Sequence, residues 1–156
     1  MLSDKLKKYN VILASNSPRR QQFFKELGIP FQIKTADIEE VYPTELKGSE
    51  ITDYLADLKS SAFTKLKEQD LLVTSDTIVW HKNKALGKPK NEQEAFEMLK
   101  SLSNDPHQVI TSVCLKGTSF KRIFNDTTTV RFAELSEEEI NYYISNYKPF
   151  DKAGAY

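Results

Sequence analysis

The run Leu71-Leu72-Val73-Thr74-Ser75-Asp76-Thr77-Ile78-Val79-Trp80 is the strongest strand pattern in the chain, and it carries a carboxylate in its interior. β-Branched and aromatic residues suit a pleated, packed surface, whereas Asp is depleted from strands and an unpaired carboxylate away from water is costly. Asp76 therefore needs a cation partner: a metal ion, a lysine, or a water whose proton it takes. Carboxylate oxygens are the ligands that Mg²⁺ or Mn²⁺ prefers, so Asp76 reads as a candidate catalytic base and a candidate metal ligand. The acidic loop Asp37-Ile38-Glu39-Glu40 offers a second carboxylate from a separate segment, Glu40 or Glu39.

A second segment is unusual in the opposite sense. The apolar run Val11-Ile12-Leu13-Ala14 is followed at once by Ser15-Asn16-Ser17-Pro18-Arg19-Arg20. This reads as a strand running into a helix, with Ser17 as N-cap, Pro18 at the first helical position and Gln21 to Leu27 as the body. Arg19 and Arg20 then fall in the first turn, where unpaired N–H groups and the macrodipole already present partial positive charge. Each should cost about 0.3–1 kcal/mol there. The arrangement makes sense if a polyanion docks on it, with helix-start amides and two guanidiniums converging on phosphate oxygens. Lys59, at the border of a helical apolar stripe, and Lys88, in the turn Leu86-Gly87-Lys88-Pro89, could each reach a phosphate as a point charge.

Composition narrows the class. The chain has 156 residues with 22 Lys+Arg and 22 Asp+Glu, so no global field attracts nucleic acid and any anion site must be local. That length fits a single domain. No apolar stretch is long enough to cross a bilayer, and the Lys-rich start lacks the apolar core of a signal peptide. One cysteine, Cys114, excludes an internal disulfide and a multi-cysteine metal site, which suits the reducing cytoplasm.

Short strand-like and helix-like runs alternate along the chain. Gly28-Ile29-Pro30 ends the first helix, Phe31 to Lys34 alternates like a strand, and Asp37 to Gly48 reads as a loop. Ile51, Tyr54, Leu55, Leu58, Ala62 and Leu66 recur at helical spacing, predicting a helix from Ser49 to about Glu68. Asn91 with Glu94 opens a helix through Leu102, and Ser136 with Glu139 opens another through Tyr147. Val109 to Leu115 and Phe120 to Phe132 read as strands around a turn at Gly117, the latter bent or in two parts. The expected fold is mixed α/β, with helices packed on a central sheet.

Taken one at a time, these residues have ordinary roles: solvated arginines, a satisfied strand aspartate, a lysine stem covering apolar surface, a turn lysine, a loop kept soluble by acids. His107 reads as structural or solvated rather than a ligand, and Cys114 as a small buried hydrophobe. Together, an anion-binding helix start, a strand carboxylate, an acidic loop and two lysines describe metal-assisted chemistry on a polyphosphate.

The same segments carry a resemblance. Ser15 to Arg20, Asp37-Ile38-Glu39-Glu40, Leu55-Ala56 with Lys59, Ser75 to Val79, Gly87-Lys88-Pro89, His107-Gln108-Val109 with Thr111 and Val113, and Asp151-Lys152-Ala153-Gly154-Ala155-Tyr156 occur in the order seen in the Maf family of nucleoside triphosphate pyrophosphatases. The resemblance spans nearly the whole chain. It implies a twisted mixed sheet flanked by helices, a cleft between two lobes, and hydrolysis of a nucleoside triphosphate to monophosphate and pyrophosphate with a divalent metal, Mg²⁺ or Mn²⁺. It also implies that Arg19, Arg20, Lys59 and Lys88 grip the triphosphate, that Ser15 and Ser17 add contacts, that Glu40 binds metal, and that Asp76 activates water directly or through the metal.

Asp76-Thr77 and the closing Asp151 to Tyr156 block resemble the branch acting on dTTP and UTP; the branch acting on 7-methyl-GTP typically has Gln after the Asp. The resemblance further predicts a Gly-Ile-Gln block beyond Tyr156, so the chain is expected to be C-terminally incomplete, leaving a sheet edge that a second copy could cover as a homodimer. Rival readings are an inactive nucleotide-binding module, a cell-division regulator, and a purine-directed pyrophosphatase.

Overall fold

A computed structural model describes residues 1–156. The elements are α1 (Leu2–Leu6), β1 (Asn10–Leu13), α2 (Pro18–Glu26), β2 (Gln32–Ile33), α3 (Ser49–Ser61), β3 (Asp70–His81), β4 (Lys84–Leu86), α4 (Glu92–Leu102), β5 (Pro106–Lys116), β6 (Lys121–Arg131), α5 (Glu137–Tyr147) and a closing 3₁₀ turn, Ala153–Ala155. Six strands form one mixed sheet in the order β2-β1-β3-β5-β6, with β4 pairing β3 off this path. β1 runs parallel to both β2 and β3, in register Ile12 to Gln32 and Ile12 to Leu72. β3 and β4 are antiparallel, with Trp80 opposite Ala85. The expected mixed α/β class is what is found.

The chain divides into two compact units. The first comprises Met1–Leu46, Glu50–Asp76 and Ser112–Asn125; the second comprises Lys47–Ser49, Thr77–Thr111 and Asp126–Tyr156. The boundary in β3 falls between Asp76 and Thr77. The core of the first unit is Val11, Leu13, Ile29, Leu71 and Val73, with Phe24, Phe31 and Val113 packed on it. Alternate positions of β1 and β3 thus turn the same apolar face inward, as the two-residue period of a strand requires. The core of the second unit is Ala95 and Leu99 of α4, Ile140 and Ile144 of α5, and Ala155, with Phe132 and Tyr156 against it.

Helix ends follow their local chemistry. The Asn91 side chain accepts from the Glu94 amide at 2.8 Å, and Ser136 and Glu139 form a reciprocal capping box. At the end of α2, Gly28 adopts φ +64 and its amide bonds the Lys25 carbonyl while the Ile29 amide bonds that of Phe24. This is a Schellman closure, which needs the left-handed conformation glycine accepts without strain.

The structure departs from the sequence reading in places. α3 stops at Ser61, seven residues before the predicted end. The Ser60 and Ser61 hydroxyls donate to the carbonyls of Asp57 and Leu58, and Lys116 Nζ takes the carbonyls of Ser60 and Phe63 at 2.9 and 3.1 Å. A cation on the last carbonyls closes the helix, and Leu66 belongs to the following loop rather than the stripe. β2 is two residues long, and β6 is a single unbroken strand. α1, the hairpin through Lys82 and Asn83 (φ +48 and +60) and the closing 3₁₀ turn lie outside the elements that the sequence predicts. No helix is long and apolar enough to cross a membrane.

Candidate active site

Asp76 lies on β3 and is 5% exposed, and Lys59 on α3 meets it. Lys59 Nζ donates to Asp76 Oδ1 at 2.7 Å and lies 3.0 Å from Glu40 Oε1. The cation demanded by a strand carboxylate is therefore a lysine of the chain itself. The geometry is fixed two residues earlier, where the buried Thr74 hydroxyl donates to the Ala56 carbonyl at 2.6 Å. Thr74 and Asp76 share one face of β3, and Ala56 and Lys59 are one turn apart on α3. One hydrogen bond thus sets the level at which ammonium and carboxylate meet.

Arg20 joins the same group from α2. Its Nη1 donates to the Ser75 carbonyl at 3.0 Å and lies 3.5 Å from Ser15 Oγ. Burial pulls its pKa below the ordinary arginine value, while the fields of Asp76 and Glu40 hold it up and that of Arg19 pushes it down. A guanidinium stays charged under such a shift. Ser15 Oγ accepts from the Ser17 amide at 3.2 Å. Ser17 occupies the N-cap position with φ −64 and ψ 117, yet its hydroxyl makes no capping bond, contrary to the helix-start reading. The first-turn amides of α2 are accordingly uncapped by a side chain, which leaves them available to an anion. Arg19 is exposed in that turn.

The first unit thus brings together Ser15, Arg20, Glu40, Lys59 and Asp76 from five segments. Lys88 belongs to the second unit, exposed in the turn after β4. In that unit Thr77 Oγ1 lies 3.0 Å from Thr111 Oγ1. Reading the sequence for charges overlooked Thr74; its signal was a polar residue two positions before Asp76, hence on the same strand face.

Asp76 Oδ2 is buried and makes no hydrogen bond, so half of the carboxylate keeps free acceptor capacity. No third His, Cys, Asp or Glu joins Asp76 and Glu40. Two carboxylates fit a hard divalent cation of the kind that takes its remaining oxygens from substrate phosphates and water. They do not fit a structural metal cage.

Comparison with known proteins identifies relatives of the whole chain. A protein of Flavobacterium johnsoniae named dTTP/UTP pyrophosphatase is 62% identical over 157 residues, covering 100% of this chain and 81% of the relative. One of the same name from Flavobacterium psychrophilum is 56% identical, covering 100% and 80%. Among solved structures, the Staphylococcus aureus Ham1 protein aligns with a TM-score of 0.51 at 15% identity, over 82% of this chain and 72% of that one, a likeness of fold. The pattern of the Maf-like protein family matches residues 10–156, and the chain belongs to that family.

Proposed function

We propose that the chain hydrolyses nucleoside triphosphates, dTTP and UTP foremost, to the monophosphate and pyrophosphate. The observation that carries this reading is the buried Asp76 carboxylate, held on one oxygen by Lys59 and unpartnered on the other, next to an arginine at an uncapped helix start. The names of relatives 56–62% identical over the whole chain support the same activity and the pyrimidine preference.

In this reading the triphosphate lies against the α2 start, where Arg19 and Arg20 present forked N–H donors to phosphate oxygens, with backbone amides beside them. Ser15 and Ser17 add hydroxyl or backbone contacts there. Lys59 spends two of its three donors on Asp76 and Glu40 and offers the third to a phosphate oxygen. Lys88 supplies a further point charge. Asp76 takes a proton from a water molecule whose oxygen bonds the α-phosphorus; the α–β bridging bond breaks, and pyrophosphate leaves with the electron pair, its charge balanced by the cationic side chains. A divalent cation, Mg²⁺ or Mn²⁺, would be held by Asp76 and Glu40 and would supply Lewis-acid neutralisation of phosphate charge. We place the reaction in the cytoplasm, in keeping with a single unpaired cysteine, Cys114.

The test is a panel of dTTP, UTP, 7-methyl-GTP, ITP and XTP with Mg²⁺ or Mn²⁺, scored for pyrophosphate and orthophosphate. Pyrophosphate from dTTP and UTP ahead of the others is expected. Orthophosphate as first product would overturn the cleavage chemistry, and preference for ITP or XTP would overturn the pyrimidine assignment.

A further inference from the structure

Lys88 poses a physical problem for any role in gripping phosphate. It is exposed in a turn, and Gly87 before it is exposed as well, with open space where a side chain would be. A lysine on a loose turn is a poor positioned charge, because its long stem and its backbone must both be ordered on binding. The buried Pro89 fixes the exit of the turn. The entry is fixed from the end of the chain: the Gly154 amide donates to the Gly87 carbonyl at 3.0 Å.

The segment that supplies this bond is itself strained. Gly154 has φ +68 and Ala155 φ +64, two left-handed residues in succession, the second an alanine. Glycine is required at 154, since a Cβ there would stand 2.7 Å from Val79 Cγ2. Left-handed alanine is unfavourable and persists where its surroundings over-determine it. Two things do so. Ala155 is fully buried among Ala95, Leu99, Ile140 and Ile144, and the next residue, Tyr156, places its hydroxyl 2.6 Å from His107 Nε2. The Tyr156 ring also stands edge-on to Phe132 and His107, with centroids 4.8 and 5.5 Å away. Burial raises the pKa of the phenol and lowers that of the imidazole, so both groups are held neutral and share one hydrogen bond between Nε2 and the hydroxyl.

We infer that Tyr156 and His107 are positioning residues for Lys88: their hydrogen bond holds the strained Gly154–Ala155 turn, whose amide fixes the Gly87 carbonyl and so the backbone from which Lys88 reaches substrate. This rests on the proposed triphosphate contact of Lys88. It assigns a task to His107 and to the closing Asp151 to Tyr156 block that the chemistry itself does not use.

Tyr156→Phe tests it, because the ring and its packing stay while the hydroxyl goes. The nucleotide KM should rise roughly fivefold with kcat changed less than about twofold, the signature of lost binding rather than lost chemistry. In a Lys88→Ala background the same substitution should leave KM within about 1.5-fold, whereas in an Arg19→Ala background it should keep its full effect. Amide exchange read by NMR should accelerate at Gly154 in Tyr156→Phe. A drop in thermal stability with KM unmoved, an equal effect with and without Lys88, or unaltered exchange at Gly154 would each overturn the proposal. If the wild-type chain releases no pyrophosphate from any triphosphate, the functional reading falls on its own, and the hold of the Tyr156–His107 bond on the Gly154–Ala155 turn is judged by the exchange at Gly154 alone.

Discussion

Lys59 Nζ stands 2.7 Å from Asp76 Oδ1 and 3.0 Å from Glu40 Oε1, so one ammonium serves a carboxylate in the core and another that is half exposed. The Asp76 end of this arrangement is the costly one. A carboxylate 7% exposed on its side chain cannot fall back on water if its partner leaves.

Lys59→Met should therefore destabilise the fold strongly, by about 3–5 kcal/mol if the charge on Asp76 is retained. Lys59→Met combined with Asp76→Asn should recover most of that loss, because the uncompensated charge goes with the second change. Urea unfolding of the wild type, both single variants and the double variant gives the cycle. Equal and additive losses would show that the two groups do not depend on each other.

Thr74→Val keeps the shape of the side chain and removes the hydroxyl that bonds the Ala56 carbonyl. The stability cost should be modest, about 1 kcal/mol, because that carbonyl lies inside α3. Activity should fall further than stability does, since the bond sets the level at which Lys59 meets Asp76. Thr74→Ser should restore it. Activity unchanged in Thr74→Val would show that packing alone sets the register of α3 on β3.

Burial holds the His107 imidazole below its ordinary pKa of 6.5. The unfolded chain takes up this proton before the folded one does, so stability from this group is complete above about pH 6.5 and is lost as pH falls from there toward the folded value. Urea midpoints of the wild type should decline from pH 7 to pH 5. His107→Gln should be less stable at pH 7 and should show a shallower decline. A steeper decline in the variant would contradict a buried neutral imidazole.

Much of this architecture was legible in the chain because its signals are local. The strand through Asp76, the Asn91 and Ser136 caps and the α2 start all depend on residues within one turn of each other. The end of α3 was not legible, because it is set by Lys116 from a distant strand, and the helical spacing of Leu66 continues past the true end. The pairing of Asp76 with Lys59 was legible only as a need: the strand demanded a partner for its carboxylate, and which lysine meets Oδ1 is set by the packing of α3 on β3. Ser17 was the natural cap by residue type, yet its hydroxyl makes no capping bond, and the nearby hydroxyl that bonds a helix-start amide is that of Ser15. The His107–Tyr156 contact joins residues 49 apart, and no periodicity reports such a pair.

The most direct test of the account is single-turnover hydrolysis of dTTP by the wild type and by Asp76→Asn, with binding of the nucleotide measured alongside. The wild type should yield one pyrophosphate for each dTMP. The variant should bind the nucleotide and turn it over roughly 10²–10⁴-fold more slowly, the usual cost of losing a general base. Equal rates in the two proteins would remove Asp76 from the reaction and contradict the assignment of this site.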